Sequence, residues 1–482
     1  MLFRSRIDLV PQTADAGMQR DELRIVAGNL LQARYLRQRK NDGDLAWQVI
    51  RGGIGIQAAA PEPVSGVDMK LRVASLNIDE WQRLLPSGSS AHAGPGNDAD
   101  LNVARYFTLR QMDLKTSQLQ WMGKQLQNVN LQLKQQGNDW LADLQSEQIT
   151  GQLKWSPGMQ PADNGQISAH FSHLRIPSSV GGEPLSETVS KSDEQLPGLD
   201  IVAENFELKD KKLGRLELNA RNQRSGKTDE WILNRVTLKN PDAELKASGK
   251  WRNRGGGDSQ TELQYELNVQ NSGKLLERLG FEHVLTGGKG SLRGELRWNG
   301  LPYALDFPSM SGKVALEMNA GQFLKVDPGA AKLLGVLSMQ SLPRRLTLDF
   351  RDVFSEGFAF DAIQGDALLQ HGVARTDNLR MRGVSASVLM AGSADLQHET
   401  QDLHVAVIPV INAGAASVVY GLAVNPVIGL GTFLAQLFLK DPLAKAFTFE
   451  YGVSGSWREP NVRKLERNES SDSANTPKTV RN

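Results

Sequence analysis

The feature that most limits what this chain can fold into is alternation of apolar and polar side chains, repeated in stretch after stretch. It is seen in "VNLQLK" (Val129, Leu131, Leu133), "LELNAR" (Leu216, Leu218, Ala220) and "LQYELNV" (Leu263, Tyr265, Leu267, Val269). It recurs in "VALEMNA" (Val314, Leu316, Met318), "LTLDF" (Leu346, Leu348, Phe350), "GFAFD" (Phe358, Phe360) and "FTFEYGV" (Phe447, Phe449, Tyr451, Val453). A period of two puts one set of side chains on one face of a strand and the other set on the opposite face. The outward partners are Gln, Asn, Lys, Glu and Arg, so each strand predicts one apolar and one wet face.

Short clusters rich in Gly, Asn and Asp separate the runs, among them "QQGND", "RSGKTDE", "RNRGGGDS" and "QHGVARTDN". Such residues accept tight-turn dihedrals, and an antiparallel meander is expected. A loose recurrence of strand, Gly-turn, Trp, strand, strand and "KW" relates the stretch around Trp140 to that around Trp231. Helical patterns are few: Asp79 to Pro86, "SGKLLERLG" with Ser272 as N-cap, and Asp327 to Leu342. Roughly two dozen candidate strands, stacked about 4.8 Å apart, would make a curved ribbon on the order of 110 Å long. The expected fold class is therefore mainly β, an elongated, curved antiparallel sheet forming a repeating groove, with a few short helices.

So little helix cannot cover so much sheet. The apolar face must close on itself as a barrel, pack against a second sheet, or meet an apolar guest that is not protein. Composition narrows the functional classes. With 55 basic and 54 acidic residues the net charge is +1, which gives no general attraction to nucleic acid. The chain has no cysteine, so thiol nucleophiles, disulfides and cysteine-bound metals are excluded. A mean hydropathy of -0.37 does not describe an integral membrane protein. The opening "MLFRSRIDLVPQTADAG" lacks the apolar core of a signal peptide, and strand-like sequence follows at once, as expected for a piece of a longer protein.

No catalytic or metal-binding constellation stands out, and no cofactor is expected. His170 and His173 in "SAHFSHLRI" would point to opposite faces of a regular strand. "TGGKGS" (Thr286 to Ser291) resembles a phosphate loop but lacks its GxxxxGK[ST] spacing, and reads as a hairpin turn. "GVSGS" (Gly452 to Ser456) lacks the last glycine of a nucleophile elbow. Asp349, Asp352 and Asp361 near Arg344, Arg345 and Arg351 read as cross-strand ion pairs.

From Gly335 onward, "LGVLSMQSLPRRLTLDFRDVFSEGFAFDAIQGDALLQHGVARTDNLRMRGVSASVLMAGSADLQHETQDLHVAVIPVINAG" resembles the C-terminal region of AsmA-like proteins, most closely the YhdP branch. Earlier segments such as "GNLLQARYLRQRKNDGDLAWQVIRGGIG" and "LNIDEWQRLLP" are similar to the same family. The resemblance implies an elongated repeating β-groove of the Gram-negative envelope. Such a protein spans the periplasm, is anchored in the inner membrane by an N-terminal helix, and carries phospholipid between inner and outer membranes. It implies phospholipids and the two membrane surfaces as partners, and names no protein partner. Residues 1-310 would then be groove segments, with loose loops at 86-100 and 177-198. Residues 311-465 would be the AsmA-like C-terminal region, and 466-482 a disordered tail.

On that reading the groove-lining residues, by strand parity, are Val129, Leu131, Leu133, Leu216, Leu218, Leu263, Tyr265, Leu267, Val314, Leu316, Met318, Leu346, Leu348, Phe350, Phe358, Phe360, Phe447, Phe449, Tyr451 and Val453. A β-bulge would invert parity beyond it. The uncharged stretch 410-439 is broken by Pro426 and several glycines into pieces too short for a single span. It is expected to be an apolar helical hairpin that either dips into a membrane or caps the groove. Its membrane-contact candidates are Val418, Val419, Tyr420, Leu422, Val427, Ile428, Leu430, Phe433, Leu434, Leu437, Phe438, Lys440 and Lys445. The two surviving functions are a lipid-conducting groove and a structural scaffold that aids outer-membrane biogenesis.

Overall fold

A computed structural model describes residues 5–15, 17–40, 47–80, 109–121, 123–158, 164–177, 196–225, 228–254, 258–324, 358–384, 386–409, 429–440 and 448–465. It separates into two compact units, Met1–Asn222 and Gln223–Asn482. The first is built from β1 (Ser5–Gln12), β2 (Met18–Ala27), β3 (Leu31–Lys40), β4 (Gln48–Ile56), β5 (Gly66–Asn77) and β6 (Leu109–Trp121). It continues with β7 (Lys124–Gln136), β8 (Asp139–Gln145), β9 (Ile149–Ser156), β10 (Gln166–Ile176), β11 (Gly198–Leu208) and β12 (Lys211–Ser225). Each strand pairs with the next in sequence.

The expected meander is interrupted three times, because β4–β5, β5–β6 and β10–β11 pair in parallel. A parallel neighbour requires the chain to travel back along the sheet before pairing again, which a tight turn cannot do. At β4–β5 the return is visible. Residues 57–65 run back over β4, where a Cβ at Gly53 would overlap the carbonyl oxygen of Pro61 and one at Gly55 that of Ala58. Only bare glycine backbone admits so close a strap. Glu62 ties the strap to Arg34 of β3.

The second unit is antiparallel at every described junction. Its strands are β13 (Thr228–Lys239), β14 (Ala243–Asn253), β15 (Ser259–Val269), β16 (Leu285–Asn299), β17 (Ser311–Phe323) and β18 (Phe358–Gln370). They are followed by β19 (Val373–Gly383), β20 (Ala386–Asp395), β21 (Thr400–Pro409), β22 (Phe449–Ser456) and β23 (Pro460–Lys464). The tryptophan recurrence has a structural basis in both units, since Trp140 faces Trp155 across β8–β9 and Trp231 faces Trp251 across β13–β14.

Helix α1 (Ser272–Leu279) connects β15 to β16. Its N-cap is Asn271, whose side chain accepts from the Lys274 amide, not Ser272 as the sequence suggests. The Ser272 hydroxyl instead donates to the Gly288 carbonyl at 3.0 Å. That contact also corrects the reading of Thr286 to Ser291, which is the irregular start of β16 and not a hairpin turn. Gly287 and Gly288 have positive φ, and a side chain at Gly288 would crowd Ser272. Helix α1 is pinned by Arg278, whose guanidinium meets the buried carboxylate of Asp242 at 2.5 to 2.9 Å. Helix α2 (Leu430–Lys440) lies between β21 and β22 in sequence.

Four of the register shifts fall at Phe171/His173, Ala203/Phe206, Leu233/Val236 and Phe360/Ala362, and at these four the sequence keeps the phase. Each extra residue flips parity, and each is matched by an apolar spacing of three: Phe171 to Leu174, Ala203 to Phe206, Leu233 to Val236, Phe360 to Ile363. The apolar face therefore stays apolar through the bulge. The shift after Phe171 also puts His170 and His173 on the same, polar face, in place of the opposite faces of a regular strand.

Candidate functional site

Following the pairing across the first unit gives a row with one residue per strand from β1 to β12. It runs Ile7, Ile25, Ala33, Ile54, Met69, Met112, Leu133, Ala142, Leu153, Ala169, Ile201 and Leu218. Every member is apolar. A parallel row begins at Ala27 and passes through Leu31, Ile56, Leu71, Leu114, Leu131, Leu144, Gly151, Phe171 and Ala203 to Leu216. In the second unit a row of nine strands runs Ala243, Val269, Gly290, Met318, Ile363, Met381, Val388, Val407 and Phe449. Each unit thus carries a continuous apolar face, at the strand spacing of about 4.8 Å.

The opposite faces carry the charge, laced by ion pairs between neighbouring strands: Arg72–Asp113, Arg110–Asp68, Arg215–Glu204 and Arg252–Glu230. Glu22 binds Arg24 at 2.8 Å and Arg34 at 3.0 Å, and these two guanidiniums, Arg24 foremost, hold its carboxyl below the usual range. Charge reaches the apolar face at one lateral margin of the first unit. There Asp21 and Arg37 form a bidentate pair at 2.9 Å, and Arg37 and Arg39 both lie 4.8 Å from the Trp47 ring. Tyr35, Tyr265 and Tyr451 stand on the apolar faces, and burial pushes all three phenols above their ordinary pKa.

A family model described as "YhdP protein" matches residues 9–462. The chain belongs to the YhdP family. It is 26% identical over 412 residues to the intermembrane phospholipid transporter YhdP of Escherichia coli strain K12, an alignment that covers 84% of this chain and 31% of that protein. The chain therefore spans about a third of the length of the curated relative it matches. No solved structure matches it.

In this member of the YhdP family, sixteen of the residues singled out by parity occupy the apolar faces. Val129, Leu131, Leu133, Leu216 and Leu218 belong to the first unit. Leu263, Tyr265, Leu267, Val314, Leu316, Met318, Phe358, Phe360, Phe449, Tyr451 and Val453 belong to the second. Leu346, Leu348, Phe350 and Phe447 lie outside the described residues. Leu316, Met318, Phe358, Phe360, Phe449, Tyr451 and Val453 meet in one cluster with Val388, Val405 and Val407.

Of the membrane-contact candidates, Val418, Val419, Tyr420, Leu422, Val427, Ile428 and Lys445 lie outside the described residues, as does the first arm of the expected hairpin. Leu430, Phe433, Leu434, Leu437, Phe438 and Lys440 belong to α2. Leu430, Phe433 and Leu434 pack on Leu389, Ala406 and Ile408. Those three alternate in sequence with Val388, Met390, Val405 and Val407, so α2 covers the back of β20–β21 and does not cap the apolar face. Sequence reasoning missed this layer, although "SVLMAG" and "HVAVIP" are continuous apolar runs of the kind that mark strands covered on both sides. Among the described residues, no helix is long and apolar enough to cross a membrane.

Proposed function

We propose that this chain is a segment of an intermembrane phospholipid conduit of the Gram-negative envelope, and that its apolar faces hold acyl chains. The observation that carries the reading is the uninterrupted apolar row of twelve strands in the first unit, most of it half-buried and therefore lacking a full protein cover. Its family membership, and the named activity of the Escherichia coli relative, support the same reading.

The physics requires no reacting group. Bringing an acyl chain into water costs about 0.8 kcal/mol per CH₂, which for two chains is on the order of 25 kcal/mol. A chain that passes from Ile54 to Met69 to Met112 to Leu133 exchanges one apolar neighbour for the next with little change in buried area. The headgroup remains hydrated at the margin of the sheet, where side chains such as Arg39 and Trp47 offer cationic and amphipathic surface. The role is non-enzymatic, the place is the periplasm, and the partners are phospholipids and the two membrane surfaces.

The test is native mass spectrometry with lipid extraction on the purified chain, compared with Leu133→Glu and Leu267→Glu. Copurifying phospholipid that drops several-fold in both variants, with strand content and Tm retained, is the expected outcome. A wild-type chain without lipid would refute the conduit and leave the scaffold.

A further inference from the structure

Several rings on the apolar faces lie over a glycine of the neighbouring strand. Tyr35 covers Gly52, Phe171 covers Gly151, Tyr265 covers Gly294 and Phe360 covers Gly321. In each pair the two residues are direct cross-strand partners, and the ring occupies the space where the glycine lacks a side chain. A Cβ at Gly294 would stand 3.0 Å from the Tyr265 hydroxyl and 3.2 Å from its ring carbon Cζ. At Gly52 it would stand 2.5 Å from a Tyr35 ring carbon. The ring can lie along the sheet only because the seat beneath it is empty.

The Tyr265 seat has the most consequence for cargo. Its row across β13–β18 reads Val236, Ala247, Tyr265, Gly294, Val314 and Ala367, so the ring is the one large side chain in it. On one side runs a ridge of Leu238, Leu245, Leu267, Leu292 and Leu316. On the other stand Leu233, Leu263, Leu296 and Leu369. Tyr265 and its neighbours Leu263 and Leu267 are half-buried, unlike Phe360, which is closed in by the core. The height of a single ring therefore sets how much room lies between two leucine ridges.

Resting on the conduit reading, we infer that the Tyr265–Gly294 pair determines the cross-section of the acyl cargo admitted over β13–β17. With the ring seated, straight chains lie in the lane and bulkier chains are refused. Tyr265 is a specificity-determining residue and Gly294 its positioning residue.

The experiment offers the purified chain mixed vesicles containing a phospholipid with straight acyl chains and one with pyrene-labelled chains, and counts each bound species by native mass spectrometry. Four chains are compared: wild type, Tyr265→Ala, Gly294→Ala and the double variant. The wild type is expected to favour the straight-chain lipid several-fold. Tyr265→Ala should bring the ratio close to one, Gly294→Ala should lower uptake of both, and the double variant should recover uptake. A Cβ at Gly294 also overlaps the Lys313 carbonyl oxygen, so the glycine variant alone could lose uptake through backbone disturbance. Tyr265→Trp covers that case, because it enlarges the ring while keeping the glycine, and should lower uptake of both lipids. An unchanged ratio in Tyr265→Ala, or full uptake in Tyr265→Trp, overturns the inference while the conduit stands. A wild type that binds neither lipid refutes the conduit and this inference with it.

Discussion

The row from Ile7 to Leu218 in the first unit and the stretch of the second unit's row from Ile363 to Val407 are alike in chemistry and unlike in burial. Ile7 is 68% exposed and Met69, Met112, Leu133, Leu153 and Leu218 are half-buried. In the second unit Met381, Val388 and Val407 are 3%, 1% and 3% exposed, inside a cluster that also takes in Leu276 of α1. The tryptophan pairs repeat the contrast, since Trp155 is 40% exposed while Trp231 and Trp251 are buried. One alternation rule thus yields two materials. Where nothing packs on the apolar side it is a surface offered to a guest, and where protein packs there it is an ordinary core.

That contrast can be broken by placing charge in each. Val388→Asp puts an unpaired carboxylate in the closed core and should destabilise the second unit by about 4 kcal/mol, a large part of a domain's stability, as read by chemical denaturation. Phe433 is 1% exposed under α2, and Phe433→Ala should cost about 3 kcal/mol. Hydrogen exchange should show that loss first in α2, with the rows on the other face retained. Leu133→Glu in the open row should move stability by less than about 1 kcal/mol and register in bound lipid. A Leu133→Glu chain that unfolds as readily as Val388→Asp would mean that the two faces are the same material.

The smallest effect is electrostatic. The lowered pKa of Glu22 means that its contribution is present above the ordinary glutamate range and is lost as pH falls through its own value. Glu22→Gln should cost less than about 1 kcal/mol near neutral pH. It should also flatten the fall in Tm between neutral and mildly acidic buffer. An equal acid slope in both chains would remove Glu22 from the account.

Much of this was legible in the sequence, for a physical reason: a one-residue error in parity moves every side chain to the wrong face, so the pattern must be kept strictly. The bulges were legible too, had the spacing of three at Phe171–Leu174 or Leu233–Val236 been read as a phase change. Strand direction was not. Residues 177–198 announced a long connection, but composition does not say whether a connection returns along the sheet. The short strap at 57–65 left only Gly53 and Gly55 as its trace. The α2 layer was hidden because an apolar helix of this composition reads alike whether it faces protein or lipid.

The strap over β4 bears on how such a chain lengthens. Hairpins add strands two at a time if the chain is to leave from the margin at which it entered. A junction that doubles back over bare glycine adds a single strand and restores the margin. The first unit shows this step at β4–β5 and pairs in parallel at two further junctions, so its architecture can grow by ones as well as by twos, and its reach is not quantised in hairpins.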